Sequence, residues 1–160
     1  MGRSAVGTGP VRFFFRFLSM RSGRRLLIEA SFRLGLAALA IKALPFRHVA
    51  PSLGTHMAKT DETPLADGSR RVCVAVARAV RIAARHLPWE CKCLAQAMAA
   101  QKMLRRRRLA TTLYLGLAKG GGGDERELSA HAWLRCGDMI VTGGEAMGLF
   151  TVVSMFGHEG

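Results

Sequence analysis

The chain has 160 residues, of which 49% are hydrophobic, a composition that excludes a globally disordered protein and predicts one domain with a buried core. Its formal net charge of +13 is unevenly distributed. Residues 1–60 hold ten Lys and Arg and one acid, residues 61–120 hold twelve and four, and residues 121–160 hold two and six. The basic part indicates an acidic partner, an anionic membrane surface, or solvated helix faces.

The first third of the chain predicts helices. A short amphipathic stretch covers residues 11–19, and Ser22 is a candidate cap for a longer helix that ends before Pro45. The apolar section of that helix, residues 34–41, is bounded by Arg33 and Lys42 and falls short of the ~20 residues needed to span a bilayer. We expect a buried core helix, whose basic and aromatic flanks are compatible with peripheral membrane contact.

Two further helices and four strands follow. Residues 51–68 contain Pro, Gly and Thr without a sustained period and predict a linker. An apolar stripe predicts a helix over residues 69–85, and a second helical pattern begins at Cys93 and runs to the arginines at 105–108. Strand composition marks residues 109–117, 129–135, 139–142 and 150–156.

This order of elements predicts an α+β fold, in which N-terminal helices precede a catalytic-type helix packed on a small antiparallel sheet. A Gly-rich loop over residues 119–125 and a turn at Gly137-Asp138 would separate the strands. We expect three units along the chain: an N-terminal helical segment (1–50), the linker (51–68) and a core (69–160).

Cysteine usage indicates a reducing, cytoplasmic compartment. The four cysteines are too few for a disulfide framework in a chain this large. The basic, aromatic segment Arg12–Phe17 is followed by no A-x-A-like cleavage site, although an organellar targeting peptide would look similar. The Cys91-Lys92-Cys93 spacing is unusual for a zinc finger and no partner pair follows, so we expect no metal and no other cofactor.

Cys93 and His131 together form a pattern that points to thiol catalysis. Cys93 opens a helix, where the positive end of the helix dipole favours the thiolate. His131 lies on a predicted strand, from which it can serve as the base. Either residue alone is more often structural, since a free cysteine is usually a small buried hydrophobe. Cys91 is a rival nucleophile, but it precedes the helical run, so we prefer Cys93.

Five segments carry a resemblance to a known family: Leu87-Pro88-Trp89, Cys93-Leu94 with Ala95 and Ala97, Leu104-Arg105-Arg106, Leu113-Tyr114-Leu115-Gly116-Leu117, and Ala130-His131-Ala132-Trp133-Leu134. A helix-borne cysteine followed by a histidine on the next sheet resembles the transglutaminase-like, papain-related superfamily. Within it, the segments resemble the leader peptidase of lasso-peptide biosynthesis, also called the microcin-processing or protein B type. The resemblance covers most of the chain and is densest over residues 87–144.

The resemblance implies a cysteine peptidase that removes the leader peptide from a ribosomally made lasso-peptide precursor. Cys93 would attack the scissile carbonyl, and His131 would accept its proton. The backbone N–H of Cys93 and the indole of Trp89 are candidate oxyanion donors. A separate ATP-dependent cyclase would then close the ring. The sequence predicts no winged-helix recognition domain, so we expect a separate leader-recognition protein as a partner, and no nucleic acid.

The third catalytic position departs from the family pattern. Members place an Asp about twelve residues after the histidine, where this chain has Gly143. A backbone carbonyl or a water could orient the His131 ring instead, and Thr142 or Glu145 could do so only with a register change or a bulge.

Two other functions therefore stay open. The missing Asp favours a non-catalytic peptide-binding scaffold on the same fold. The arginine run 105–108 favours a nucleic-acid or membrane-surface protein, although that function leaves the Cys and His pattern unexplained. If the chain is a peptidase, Arg106 and Arg107 are predicted to steer an acidic leader or partner.

Overall fold

The computed structural model describes residues 21–119 and 128–160. The amphipathic stretch predicted over residues 11–19 and most of the Gly-rich loop predicted over residues 119–125 lie outside these described residues. Helices come first and an antiparallel sheet follows, so the predicted α+β fold is confirmed.

The helices are α1 (Arg21–Ala43), α2 (Phe46–Val49), α3 (Asp67–His86) and α4 (Cys93–Arg105), with 3-10 turns at Ala50–Leu53 and Met147–Leu149. The three long helices lie close to their predicted bounds. Helix α3 ends where expected: the Leu87 N–H bonds the Ala83 carbonyl at 3.0 Å, and Pro88 follows.

The strands are β1 (Thr55–His56), β2 (Thr111–Lys119), β3 (Leu128–Cys136), β4 (Met139–Thr142) and β5 (Thr151–His158). They form one antiparallel sheet in the order β1-β5-β2-β3-β4. The predicted turn between β3 and β4 is present at Gly137, whose φ of 53° suits glycine. Strand β4 contains a bulge at Val141, because Leu134 pairs with Thr142 but Arg135 pairs with Ile140.

Helix α4 lies at the centre of the core. It packs against α1 and α3 on one side and against strands β2, β3 and β4 on the other. Its buried positions include Ala95, Ala97, Ala99 and Ala100, whose small side chains let neighbouring elements approach closely. Burying α4 in this way fixes where its first residue, Cys93, emerges.

The segment predicted as a linker, residues 51–68, is fastened to the sheet. It contains β1, a two-residue strand that pairs with β5 and was not predicted. Buried Thr60 bonds Thr112 Oγ1 through its backbone N–H at 3.0 Å and through its hydroxyl at 2.8 Å. The buried guanidinium of Arg135 donates to the carbonyls of Thr60 and Asp61 at 2.7 and 3.0 Å.

Helix α1 has one buried and one exposed apolar face. Ala30, Leu34 and Ala37 are buried against the core, whereas Ile28 and Phe32 are 70% and 61% exposed. Among the described residues, no helix combines the length and apolarity needed to cross a bilayer. Peripheral membrane contact by α1 stays a prediction.

Candidate active site

Cys93 is the first residue of α4, and the fold leaves it half-buried at the helix N-terminus. Lys92 before it has extended backbone angles and no side-chain capping bond. The Gln96 side chain donates a 2.8 Å hydrogen bond to the Cys91 carbonyl, which holds the approach to the helix in place. The Cys93 thiol therefore lies beside the first backbone N–H groups of α4, which have no partner within the helix.

Cys91 has a different environment. Its side chain is buried, and its thiol lies 3.8 Å from the Trp89 carbonyl oxygen. Burial raises the pKa of the Cys91 thiol above its usual value. A buried thiol with a raised pKa is a poor nucleophile. Cys93 is less buried and lines a pocket, and its role as the nucleophile stays a prediction.

His131 lies on β3 directly opposite Gly116 of β2, between two aromatic rings. Ring centroids of Phe150 and Trp133 lie 5.0 and 6.0 Å from that of His131. A side chain at position 116 would not fit, because a Cβ there would lie 2.8 Å from both Phe150 Cβ and Trp133 Cζ3. Gly116 thus lets the aromatic side chains close around the imidazole.

The His131 ring is anchored by the main chain of residue 143. Its Nε2 donates to the Gly143 carbonyl oxygen at 2.8 Å. A carbonyl can only accept, so Nε2 carries a proton and Nδ1 is the ring nitrogen not used by this contact. A backbone carbonyl thus bonds the His131 ring, which is one of the alternatives that the sequence left open. Residue 143 is glycine and has no carboxylate to take that part.

Gly143 is conformationally required for this contact. Its φ of 73° lies in the left-handed region. A Cβ there would collide with the Ala132 carbonyl oxygen and lie 2.9 Å from Trp133 Cβ. The position that would hold an Asp in the family pattern thus cannot take a side chain in this backbone conformation.

Cys93 and His131 line the same pocket, whose volume is about 730 Å³. Residues 139–145 form one wall and α3 forms another. Thr142 and Glu145 also line the pocket, but within the described residues neither bonds the His131 ring. The ring bonds Gly143 rather than the Cys93 thiol, and catalytic hydrogen bonds commonly tighten only when substrate binds.

Comparison with known proteins agrees with this arrangement. The family model described as transglutaminase-like superfamily matches residues 40–155, well over half of the chain. The chain belongs to the transglutaminase-like superfamily. No curated protein and no solved structure gives a significant match. The superfamily includes cysteine peptidases, and the placement of Cys93 and His131 in this transglutaminase-like domain fits that chemistry.

A cationic wall of this transglutaminase-like pocket went unnoticed in the sequence. Arg78, Arg81 and Arg85 of α3 line the pocket, where Glu145 is the carboxylate among the lining residues. These arginines are three and four residues apart, so they lie on one face of α3 beside its buried stripe. That spacing is the sequence feature that could have predicted a cationic face.

Two predicted features lie elsewhere. Trp89 lines a separate apolar groove beside Leu39 of α1, so its indole is not part of the Cys93 pocket and the predicted oxyanion role is not supported. Arg106 and Arg107 are also outside the pocket and both pair with Glu29 of α1, at 3.1 and 2.8 Å.

Glu29 is the centre of that ion pair. Burial alone would raise its pKa, but the hydrogen bond and charge of Arg107, with the charge of Arg106, hold the pKa of Glu29 below its usual value. The ion pairs link α1 to the end of α4, and the steering role of Arg106 and Arg107 stays a prediction.

Residues 21–119 and 128–160 contain no group of three or more His, Cys, Asp or Glu side chains placed to hold a metal ion. All four cysteines are free thiols.

Proposed function

We propose that this chain is the cysteine peptidase that removes the leader from a lasso-peptide precursor in the cytoplasm. The observation that carries the proposal is the single pocket lined by a helix-N-terminal cysteine and a histidine whose Nε2 is occupied by the Gly143 carbonyl. This arrangement leaves a nucleophile and a base facing one cavity, within a superfamily that includes cysteine peptidases.

The steps follow from these residues. The Cys93 sulfur attacks the scissile carbonyl carbon while its proton passes to His131 Nδ1, the nitrogen not used by Gly143. The backbone N–H groups at the start of α4 face the oxyanion that forms. The imidazolium then protonates the leaving amine and a thioester remains on Cys93. His131 next removes a proton from water, whose oxygen attacks the thioester carbonyl carbon. The C–S bond breaks, the Cys93 sulfur takes back the proton from the imidazolium, and the carboxylic acid product leaves.

The finer identity, lasso leader removal, is supported by the motif set that runs from Leu87 to Leu134 and includes both pocket residues. On this proposal the substrate is a precursor peptide, a separate recognition protein holds the leader, and an ATP-dependent cyclase uses the freed amine. The peptide must be extended to bring its scissile bond to the Cys93 thiol in the pocket.

The test combines the purified chain with precursor peptide and the recognition protein, and follows products by mass spectrometry. Cleavage at one bond with a transient thioester on Cys93 is expected. Cys93→Ala and His131→Ala should each abolish cleavage while far-UV circular dichroism stays unchanged. Cleavage that persists in Cys93→Ala would contradict the proposal.

A non-catalytic peptide-binding scaffold is the second candidate, favoured by the absence of a carboxylate at position 143. It predicts that wild-type chain binds precursor as tightly as Cys93→Ala but yields no product under any partner combination. The same experiment therefore separates the two functions.

A further inference from the structure

Four arginines of the chain form ion pairs with carboxylates in the described residues. Arg70 pairs with Asp138 at 2.6 Å, Arg107 with Glu29 at 2.8 Å, and Arg135 with Glu62 at 3.4 Å. Among the described residues, Arg81 and Arg85 form no ion pair, and both are exposed. Their charges are therefore available to something outside the fold.

Both arginines lie in the pocket where the proposed cleavage takes place. Arg81 and Arg85 line the pocket that also contains Cys93 and His131, and Glu145 on the far wall offsets only part of the positive charge. A cleft lined by one sign of charge concentrates ligands of the opposite sign. Guanidinium groups bind carboxylates through paired hydrogen bonds, so a carboxylate-bearing ligand suits this wall.

The spacing adds a geometric restriction. Arg81 and Arg85 are one helical turn apart, about 6 Å along α3 at 1.5 Å per residue. An extended peptide advances about 6.6 Å for every two residues, and side chains two apart point the same way. Two acidic side chains separated by one residue would thus match the two guanidinium groups.

We propose that Arg81 and Arg85 form an acid-binding subsite for the peptide substrate, selecting segments with carboxylates at alternate positions near the scissile bond. This inference rests on the proposed function, because it names the substrate class of the same pocket. Recognition of acidic groups at the pocket would then come from Arg81 and Arg85 rather than from Arg106 and Arg107.

The binding test uses Cys93→Ala protein, so that the peptides are not cleaved during the measurement. Two labelled peptides are compared, which are identical except that one contains Glu-Ala-Glu where the other contains Gln-Ala-Gln. Fluorescence anisotropy at low salt should show the acidic peptide binding about tenfold more tightly, since an exposed ion pair contributes roughly two- to fivefold. The preference should shrink at high salt because exposed charges are screened.

Charge-removing variants locate the effect. Arg81→Gln with Arg85→Gln should abolish the preference between the two peptides. The matched control is Arg71→Gln, an exposed arginine on α3 that does not line the pocket, which should keep the preference. The inference is overturned if Arg71→Gln loses the preference for the acidic peptide as fully as the double variant does. It is also overturned if protein with both pocket arginines intact binds the two peptides equally. A single-stranded oligonucleotide that outcompetes the acidic peptide also overturns it, in favour of nucleic-acid binding.

The inference and the proposed function can fail separately. Acid-selective binding with no cleavage would support the acid-binding subsite and contradict the peptidase function. The opposite result is that the wild-type enzyme cleaves both peptides with equal kcat/KM and that the arginine substitutions leave this value unchanged. That result would support the peptidase function and contradict the acid-binding subsite.

Discussion

Replacing Gly143 with Ala tests whether a backbone carbonyl does the work of a third catalytic side chain. The added Cβ would meet the Ala132 carbonyl in a backbone conformation with φ of 73°. A non-glycine residue held there costs about 1–3 kcal/mol, so the chain should relieve the strain by moving residue 143. The carbonyl that accepts from His131 Nε2 at 2.8 Å moves with it.

Two effects of different size should follow. The melting temperature should fall by about 3 °C for each kcal/mol lost. The value of kcat/KM for precursor cleavage should fall about 100-fold, because a displacement of the base by about 1 Å has that effect on catalysis. The fall corresponds to about 2.7 kcal/mol of transition-state stabilisation. Activity measured well below the melting temperature separates this loss from unfolding.

Imidazole nitrogen NMR gives a readout that a purely structural role would not change. Wild-type chain should show His131 as the Nε2–H tautomer, whereas Gly143→Ala should show a mixture. Gly148→Ala is the matched control, because a Cβ at residue 148 meets nothing within 4 Å. If Gly143→Ala keeps the wild-type tautomer and loses no more activity than Gly148→Ala, the carbonyl does not orient the ring and the reasoning is refuted.

Three further outcomes are expected. Iodoacetamide should label Cys93 faster than buried Cys91, and Cys91→Ala should retain most cleavage activity; faster labelling of Cys91, located by peptide mapping, would reverse the assignment. Glu29→Gln should destabilise the fold by about 1.5 kcal/mol at pH 7. The pKa of Glu29 is lower in the folded chain than in the unfolded chain. The stabilisation that Glu29 gives is therefore present above its unfolded pKa and is lost as pH falls through its folded pKa. Wild-type and variant melting temperatures should converge below about pH 4, and a constant difference down to pH 2 would contradict this. Adding the recognition protein in trans should raise cleavage at low precursor concentration through effective concentration, and full-rate cleavage by the chain alone would argue against that partner.

Much of the fold could be predicted from periodicity. Helix α3 shows a clear apolar stripe, and β3 and β4 are joined by a Gly-Asp turn that sequence alone indicates. Strand β1 could not be found in this way, because a two-residue strand has no period to detect and forms only by pairing with β5.

The site was predictable only in part. Residue type and position pointed to Cys93 and His131, but the acceptor for the ring belongs to the backbone of Gly143, which leaves no side-chain signature. The role of the α3 arginines depends on how that helix packs beside β4, which is tertiary information. The ion pairs of Arg106 and Arg107 could not be predicted for the same reason, because Glu29 is distant in sequence.

The anchoring of His131 by the main chain has an evolutionary consequence. A carboxylate at a third position is lost by one substitution, whereas a peptide carbonyl is present whatever residue occupies the site. Selection at Gly143 would then act on a torsion angle rather than on an acid, and mutation to any L-residue would be disfavoured for its shape. A transglutaminase-like chain that lacks this Asp should therefore be assayed for activity before it is scored as inactive.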